Sequence, residues 1–378
     1  RGKRPRYVAE DGNGRHGVYV ERYDAFAPLW NIQRKRPLPN ANIFVRSTDG
    51  LDTDNGSTWA LAKATLDGAE AIWTASDTVW VSQVHAESSA AALSYSFPTT
   101  SGLRILCGND AVEPPTALAT TGSITTTGNF GITVGAAGRV YMYGLQFHSG
   151  TGASAAADLL IGSGANVITA FDTCVFDIPS TSTAAPHIIG RGTTIDAAGF
   201  VRLVNCTFKF GASATNGNIF LRAARIEIVN MSLDAAGVAP STLFYLTDGP
   251  TDVLVEASDL SGEAFTSLVN PTDTTRSGLC IIRNCKVPSG INFLSSPVGH
   301  PGLRVVVDNV DSGDTNYRSL IGEWQGDIRS ETTIVRTGGA SDGTTALAWK
   351  LASNSNPLLY WPLTTYEDIG RWNDATGS

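Results

Sequence analysis

Three charged residues occupy the same position of a repeated segment and could act together on a ligand. Glu256, Arg283 and Asp308 each lie one residue before the centre of a repeat, so strands paired in register would place them in one outward column. Neighbouring strands lie about 4.8 Å apart. Two carboxylates separated by a cation could then bind or cleave a glycan. The competing interpretation is structural, because opposite charges on adjacent exposed strands pair with each other. We favour pairing, predict no catalytic residue, and keep carbohydrate binding as the alternative.

The cysteines and histidines predict neither a metal site nor a cofactor. The five cysteines contain no Cys-x-x-Cys pair, and the five histidines are scattered through separate segments without the spacing of metal ligands. Cys174, Cys206 and Cys285 share one inward position of the repeat. We therefore expect buried free thiols that act as small apolar residues, which fits synthesis in a reducing cytoplasm.

The composition narrows the fold class. The chain has 378 residues, of which 42% are apolar and only 16% are charged, with 39 glycines. A low charge content with abundant glycine disfavours a helical bundle and a disordered chain, and favours a β-rich protein. No window reaches the 18 consecutive apolar residues of a membrane span, so we predict no membrane association.

A segment of strand, corner and strand recurs every 25 to 32 residues. The copies are VITAFDTCVF (167–176), FVRLVNCTF (200–208), ARIEIVNMSL (224–233), TDVLVEASDL (251–260), LCIIRNCKV (279–287) and LRVVVDNVDS (303–312). Their central residues are Thr173, Asn205, Asn230, Ala257, Asn284 and Asn309. RVYMYGLQF (139–147), with Gly144 at its centre, and GLRILCGND (102–110) fit as earlier copies.

Apolar and polar side chains alternate within each copy, which predicts strands with one buried face. The set of alternate positions that faces inward shifts at the central residue, so the chain must bend there. Asn tolerates the left-handed conformation that such a corner needs. A strand that returns with the same inward column predicts an all-β parallel β-helix, or solenoid. We rank a β-propeller and a β-sandwich below it, because their repeats are longer or lack matched columns.

The pattern divides the chain into four parts. We predict a basic arm (1–41), an entry strand with a capping helix and first coil (42–100), β-helix coils (101–325), and an aromatic-rich cap or oligomer-contact segment (326–378). The capping helix is predicted from an apolar stripe formed by Trp59, Leu61 or Ala62, Leu66, Ala69, Ile72 and Trp73. Gly, Ala and Ser tracts at 149–157 and 211–218 are predicted to be turn insertions.

The arm and the body have opposite charge. Residues 1–36 contain nine Lys or Arg against four Asp or Glu, whereas the remainder contains 18 basic and 31 acidic residues. Such an arm could dock on an acidic protein surface, remain solvated, or bind nucleic acid, and we rank nucleic acid last. The attachment residues that we predict are Arg1, Lys3, Arg4, Arg6, Arg34, Lys35 and Arg36. Because residue 1 is Arg, we also expect the chain to start downstream of another segment.

The segment ANIFVRSTDGLDTDNGSTWALAKATLDGAEAIWTASDTVWV resembles the opening of pectin-lyase-like right-handed β-helix proteins, and the Asn-Cys-x-Phe corners are similar to coils of that superfamily. The tail from IVRTGG to GRWND resembles the C-terminal region of β-helix proteins from tailed bacteriophages. The resemblance covers about residues 40–375. It implies a right-handed β-helix fold, a homotrimeric assembly, and a role as a component of a virion that is assembled in the host cytoplasm.

The resemblance favours a non-enzymatic capsid decoration or head spike that is attached to other virion proteins through its arm. The alternative is a tailspike or tail fibre protein that binds or depolymerises host surface polysaccharide as a lyase or glycoside hydrolase. A secreted bacterial lyase ranks third, because the free thiols and the lack of a recognisable signal peptide disfavour it. The calcium-binding acids and catalytic Arg of pectate lyases have no counterparts that can be matched in this sequence.

Overall fold

A computed structural model describes most of the chain between residues 41 and 361. The described residues are 41–151, 159–162, 167–179, 187–190, 199–210, 219–222, 224–235, 242–247, 252–262, 264–271, 277–294, 302–311, 320–325, 334–337, 347–351 and 357–361. Residues 1–40 of the predicted arm, the insertion 211–218 and most of 149–157 lie outside them.

Nearly all regular structure in the described residues is β-strand, numbered here in chain order. Sheet 1 contains β1 (Asn42–Val45), β2 (Thr78–Ser82), β5 (Leu103–Gly108), β8 (Arg139–Tyr143), β11 (Ile168–Asp172), β14 (Gly199–Val204), β17 (Ala224–Val229), β20 (Asp252–Glu256), β22 (Ser277–Arg283), β24 (Gly302–Val310) and β25 (Leu320–Gln325). Sheet 2 contains β3 (Ala86–Ser89), β6 (Ser123–Thr126), β9 (Gln146–His148), β12 (Val175–Ile178), β15 (Thr207–Phe210) and β18 (Ser232–Ala235).

Two further sheets complete the fold. Sheet 3 contains β4 (Leu93–Ser96), β7 (Ile132–Ala137), β10 (Leu159–Ile161), β13 (His187–Gly190), β16 (Ile219–Arg222), β19 (Thr242–Thr247), β21 (Ser267–Pro271) and β23 (Asn292–Leu294). A separate three-stranded sheet contains β26 (Ile334–Thr337), β27 (Leu347–Leu351) and β28 (Pro357–Trp361). Within sheets 1 to 3 each strand pairs in parallel with its counterpart one repeat away, except that β25 pairs with β24 antiparallel. The protein is therefore all-β with long parallel sheets, as an all-β parallel solenoid requires.

The repeat columns predicted from the sequence lie inside. Phe171 pairs in register with Met142 on one side and Leu203 on the other, and the strands that follow continue the same column. Side chains one after, two before and four before each corner are buried in all six repeats. In sheet 2, Phe176 stacks on Phe147 with ring centres 5.7 Å apart and contacts Phe208 at 5.1 Å. Burial of these apolar columns is the main source of stability.

The corners adopt the predicted left-handed conformation. Thr173, Asn205, Asn230, Ala257, Asn284 and Asn309 have φ between 50° and 55°, and Gly144 has φ of 74°. The asparagine amides also bond along the stack. Asn230 Nδ2 donates to Asn205 Oδ1 at 2.7 Å, and Asn309 Nδ2 donates to Asn284 Oδ1 at 2.8 Å. Ala257 separates these two amide pairs.

The entry segment contains less helix than the apolar stripe predicted. Residues Trp59–Leu61 form a 3-10 turn, and only Leu66–Glu70 form an α-helix, α1. Lys63 interrupts the helical path because it forms a parallel β-bridge with Val45: its amide donates to the Phe44 carbonyl of β1, and its carbonyl accepts from the Arg46 amide just after β1. Trp59, Ala62, Leu66, Ala69 and Trp73 are buried as the stripe predicted, whereas Leu61 and Ile72 are exposed.

We predict that Ala257→Asn stabilises the protein by about 1 kcal/mol. Asn adopts positive φ more readily than Ala, and its amide could join the pairs on either side, where each hydrogen bond contributes roughly 0.5–1.5 kcal/mol. The free energy of unfolding in urea measures the change. Ala257→Gly relieves the backbone without supplying an amide, so it should stabilise less. An Ala257→Asn variant that is no more stable than the parent would show that the side-chain amide pairs do not extend through this corner.

Candidate functional site

The structure brings Glu256, Arg283 and Asp308 into one column, as predicted. They lie on β20, β22 and β24, and the register pairs Glu256 with Arg283 and Arg283 with Asp308. Each lies immediately before a corner, where the backbone turns out of sheet 1. Period-two alternation directs all three side chains away from the core.

The arginine is engaged with its neighbour on the preceding coil. Arg283 Nε lies 2.9 Å from Glu256 Oε1, and Arg283 Nη2 donates to Glu256 Oε2 at 2.9 Å. The exposed fractions of the two side chains are 40% for Arg283 and 24% for Glu256, so water still screens the pair. The Nη2 hydrogen bond, together with the close ionic approach of Nε, fixes the orientation of both groups. This geometry favours the pairing interpretation over a site in which Glu256 faces a ligand as a free acid.

A second charged column, which sequence reasoning did not select as a site, lies just beyond the corner. Asp259, Lys286 and Asp311 form successive β-bridges with one another, and Lys286 Nζ lies 3.6 Å from Asp259 Oδ2. This column could have been found in the sequence, because its residues repeat the acid, base, acid order of the first column (Glu256, Arg283 and Asp308) three positions later. Together the two columns place charges on both sides of the corner.

Partial burial alone would raise the pKa of Asp259, but other groups outweigh it. The hydroxyl and amide of Ser261 donate to Asp259 Oδ1, and the Lys286 ammonium lies nearby. The net effect lowers the pKa of Asp259 below its ordinary value, because these groups stabilise the carboxylate. Asp259 is therefore charged at neutral pH and is not a proton donor there.

A shallow polar groove of about 300 Å³ follows the corners of the last repeats. Its lining residues are Ala257, Ser258, Asp259, Asn284, Cys285, Lys286, Asn309 and Asp311. Burial raises the pKa of Cys285 to about 11, so this thiol is protonated at neutral pH and is a poor nucleophile. The groove offers amide, carboxylate and ammonium groups suited to hydrogen bonding of a hydroxylated ligand.

The described cysteines are all free and buried, as predicted from their inward column. Burial is the main cause that raises the pKa of the Cys206 thiol well above its ordinary value, and the neighbouring Cys174 raises it further. These thiols therefore pack as small apolar groups inside the stack.

A buried group of titratable side chains lies beneath α1. Glu87 Oε2 accepts the Leu66 amide at 2.8 Å and lies 3.3 Å from His85 Nε2, and both side chains are almost fully enclosed. Burial, reinforced by the negative charges of Glu87, Asp67 and Glu70, raises the pKa of Tyr95 well above its ordinary value. The carboxylate anchors the first turn of α1, so we interpret this group as structural.

Other predicted features are placed as follows. The attachment residues Arg1, Lys3, Arg4, Arg6, Arg34, Lys35 and Arg36 lie outside the described residues. Among the residues that the structure describes, no group of three or more His, Cys, Asp or Glu could hold a metal ion. Within the same residues, no helix has the length and apolar character needed to cross a membrane.

Comparison of the chain with protein-family models, with curated proteins and with solved structures found no match. The resemblance to pectin-lyase-like bacteriophage proteins therefore stays a prediction that rests on the residues quoted above.

We predict a measurable coupling between Glu256 and Arg283. A double-mutant cycle with Glu256→Gln and Arg283→Met should give about 0.5–1 kcal/mol of coupling in the free energy of unfolding, decreasing with added salt. The matched control is Asp234 with Lys209, which make one contact at 3.2 Å and are 61% and 43% exposed. We expect weaker coupling there. Coupling at Glu256 and Arg283 no larger than in the control would argue against a structural role for the first column.

Proposed function

We propose that this protein is a non-enzymatic structural component of a bacteriophage virion, a capsid decoration or head spike attached through its N-terminal arm. The observation that carries the proposal is that outward-facing charged side chains pair with each other between neighbouring coils. Within the described residues, five pairs of oppositely chargeable side chains join register partners on neighbouring coils: His148 with Asp177, Arg202 with Glu227, Lys209 with Asp234, Glu256 with Arg283, and Asp259 with Lys286. Charges engaged in coil-to-coil contacts suit a stiff rod.

The finer architecture is part of the same proposal. A strand, crossover and parallel strand connection is right-handed in about 98% of cases, which supports a right-handed β-helix. A solenoid also needs caps, because its terminal coils expose strand edges and core. Leu66 and Ala69 of α1 are buried in the main core, which suits a cap at the N-terminal opening. At the other end, β25 reverses the strand direction and the antiparallel strands β26–β28 follow, which suits a C-terminal cap.

Attachment and assembly complete the proposal. A basic arm on an acidic body suits docking to another virion protein, since opposite charges steer association. We further propose a homotrimer assembled in the host cytoplasm, in which the aromatic-rich segment 326–378 contributes contacts between subunits. Trp349, Tyr360 and Trp361 lie on β27 and β28, whereas Tyr366 and Trp372 lie outside the described residues.

The arm is tested by replacing Arg1, Lys3, Arg4, Arg6, Arg34, Lys35 and Arg36 with Ser in the full chain. We expect at least a tenfold loss of binding to particles assembled without this protein, measured by co-sedimentation, because the charge attraction is removed. The control variant, Arg15→Ser with Arg22→Ser, keeps the two basic clusters and should bind nearly as well as the parent. Full binding by the sevenfold variant would contradict attachment through the arm.

The corner groove supports a second candidate, a tailspike or tail fibre protein that recognises host surface polysaccharide. Asn284, Asn309 and Lys286 present donors along a groove whose acids could accept hydroxyl protons. Its acidic residues disfavour a polyanionic glycan. Cleavage would make the protein a polysaccharide lyase or glycoside hydrolase, with Glu256, Arg283 and Asp308 beside the groove.

For this candidate, Lys286→Met should reduce retention of the protein on immobilised host polysaccharide about tenfold, since a charge-assisted donor is lost. Lys209→Met removes a similar charge on sheet 2, away from the groove, and should leave retention unchanged. Equal retention of both variants would exclude the groove as the glycan site. Oligosaccharide release by the parent that disappears in Glu256→Gln would identify an enzyme rather than a binding protein.

A further inference from the structure

Among the side chains whose burial the structure describes, large exposed apolar residues are confined to the first part of the chain. They are Leu51, Leu61, Ile72, Val84, Val112, Leu118 and Phe130. All of them precede residue 131, although side-chain burial is described at intervals as far as Asp311. Surface apolar residues are normal when scattered, whereas a contiguous group of them marks an interaction surface.

Three of these residues, Leu51, Ile72 and Val112, lie beside one short segment, 56–62, which contains a fourth, Leu61, and lies against the edge strand β1. The Leu51 amide donates to the Ala62 carbonyl at 2.9 Å, and the Leu61 carbonyl accepts from the Gly56 amide at 2.8 Å. Trp59 Nε1 donates to the Val112 carbonyl at 3.1 Å. Ile72 Cδ1 lies 3.3 Å from the point where a Cβ on Gly56 would be. We refer to Leu51, Leu61, Ile72 and Val112 as the end patch.

The surroundings of the end patch are acidic. Residues 47–72 include the acids Asp49, Asp52, Asp54, Asp67 and Glu70. The one basic residue within this range, Lys63, is buried. Asp52 and Asp67 are exposed, whereas the exposed Asp49 is already paired with the guanidinium of Arg46, whose Nη2 donates to Asp49 Oδ2 at 2.7 Å. A partner for this surface would therefore combine aromatic or aliphatic side chains with positive charge.

The chain's own arm has this composition. Residues 19–36 contain Tyr19, Tyr23, Phe26 and Trp30 together with Arg22, Arg34, Lys35 and Arg36. The arm leads directly into β1, where Phe44 lies 4.8 Å from Trp59 between ring centres. Ten extended residues span up to about 33 Å, so Trp30 could reach the end patch from Ala41. Tethering of this kind gives millimolar effective concentrations, so weak contacts suffice.

We propose that residues 19–36 fold back onto the end patch of the same chain, with the aromatic side chains covering the apolar residues and the cations facing the surrounding acids. The proposal concerns the free chain and does not rest on the proposed function. For the free chain, it identifies this end of the solenoid as an acidic surface on which the arm docks.

Disulfide trapping in the full chain tests the contact. All five native cysteines are buried, so the double variant Phe26→Cys with Leu61→Cys has two accessible thiols. Glutathione disulfide serves as oxidant, and each protein disulfide formed releases two molecules of glutathione. We expect this variant to form its disulfide at least ten times faster than the matched variant Phe26→Cys with Phe130→Cys, whose second site is exposed but outside the end patch.

The same oxidation is carried out on an equimolar mixture of isotopically light and heavy chains. Mass spectrometry then shows whether each disulfide joins two sites of one chain or sites of two chains. Links within one chain support the proposal. Links between light and heavy chains would overturn it and assign the end patch to a second copy, and a rate equal to that of the control would overturn it by showing no preferred contact. Adding Val112→Asp to the trapping variant should slow the link several-fold, because it replaces an apolar contact of the end patch with a charged group. Adding Val84→Asp should not.

Discussion

The corner residue with positive φ is the constraint on which the rest of the solenoid depends. On one side of it the buried residues lie two and four positions away, and on the other side they lie one and three positions away. A corner in the ordinary β-region would leave one of these sets facing water. The backbone amides of the corners from Gly144 to Asn284 donate to a carbonyl on the following coil, as from Asn205 to Val229, so the bend also fixes the register between coils. The loop lengths between corners are then free to vary.

Most of sheet 1 and the beginnings of β9, β12, β15 and β18 in sheet 2 could be predicted from the sequence, because their alternation and corner residues repeat in the same positions. Sheet 3 could not be predicted from this pattern. Its strands lie at varying distances from the corners, and segments such as Ile219–Arg222 are too short to show a period. The overestimate of helix around Leu66 has a specific cause, since an apolar stripe cannot reveal that Lys63 bonds to β1.

The candidate site was predicted in part. The column of Glu256, Arg283 and Asp308 follows from the repeat, but the ion pair between Glu256 and Arg283 depends on rotamers that a sequence does not encode. The second column across the corner was visible as the same charge order, yet only the three-dimensional bend makes that column line a groove at the corners. The same charged side chains can pair with each other or bind a ligand, and their geometry determines which interaction dominates.

Pairing between corresponding positions of adjacent coils also constrains how such a gene can change in length. Deleting one whole repeat, such as the 27 residues that separate Asn230 from Ala257, would bring Asn205 beside a new corner and leave every column continuous. A single-residue deletion within β17 would instead exchange its buried and exposed faces. Rod length can therefore evolve in steps of about 4.8 Å, one strand spacing at a time. Smaller length changes are tolerated where the chain crosses between sheets.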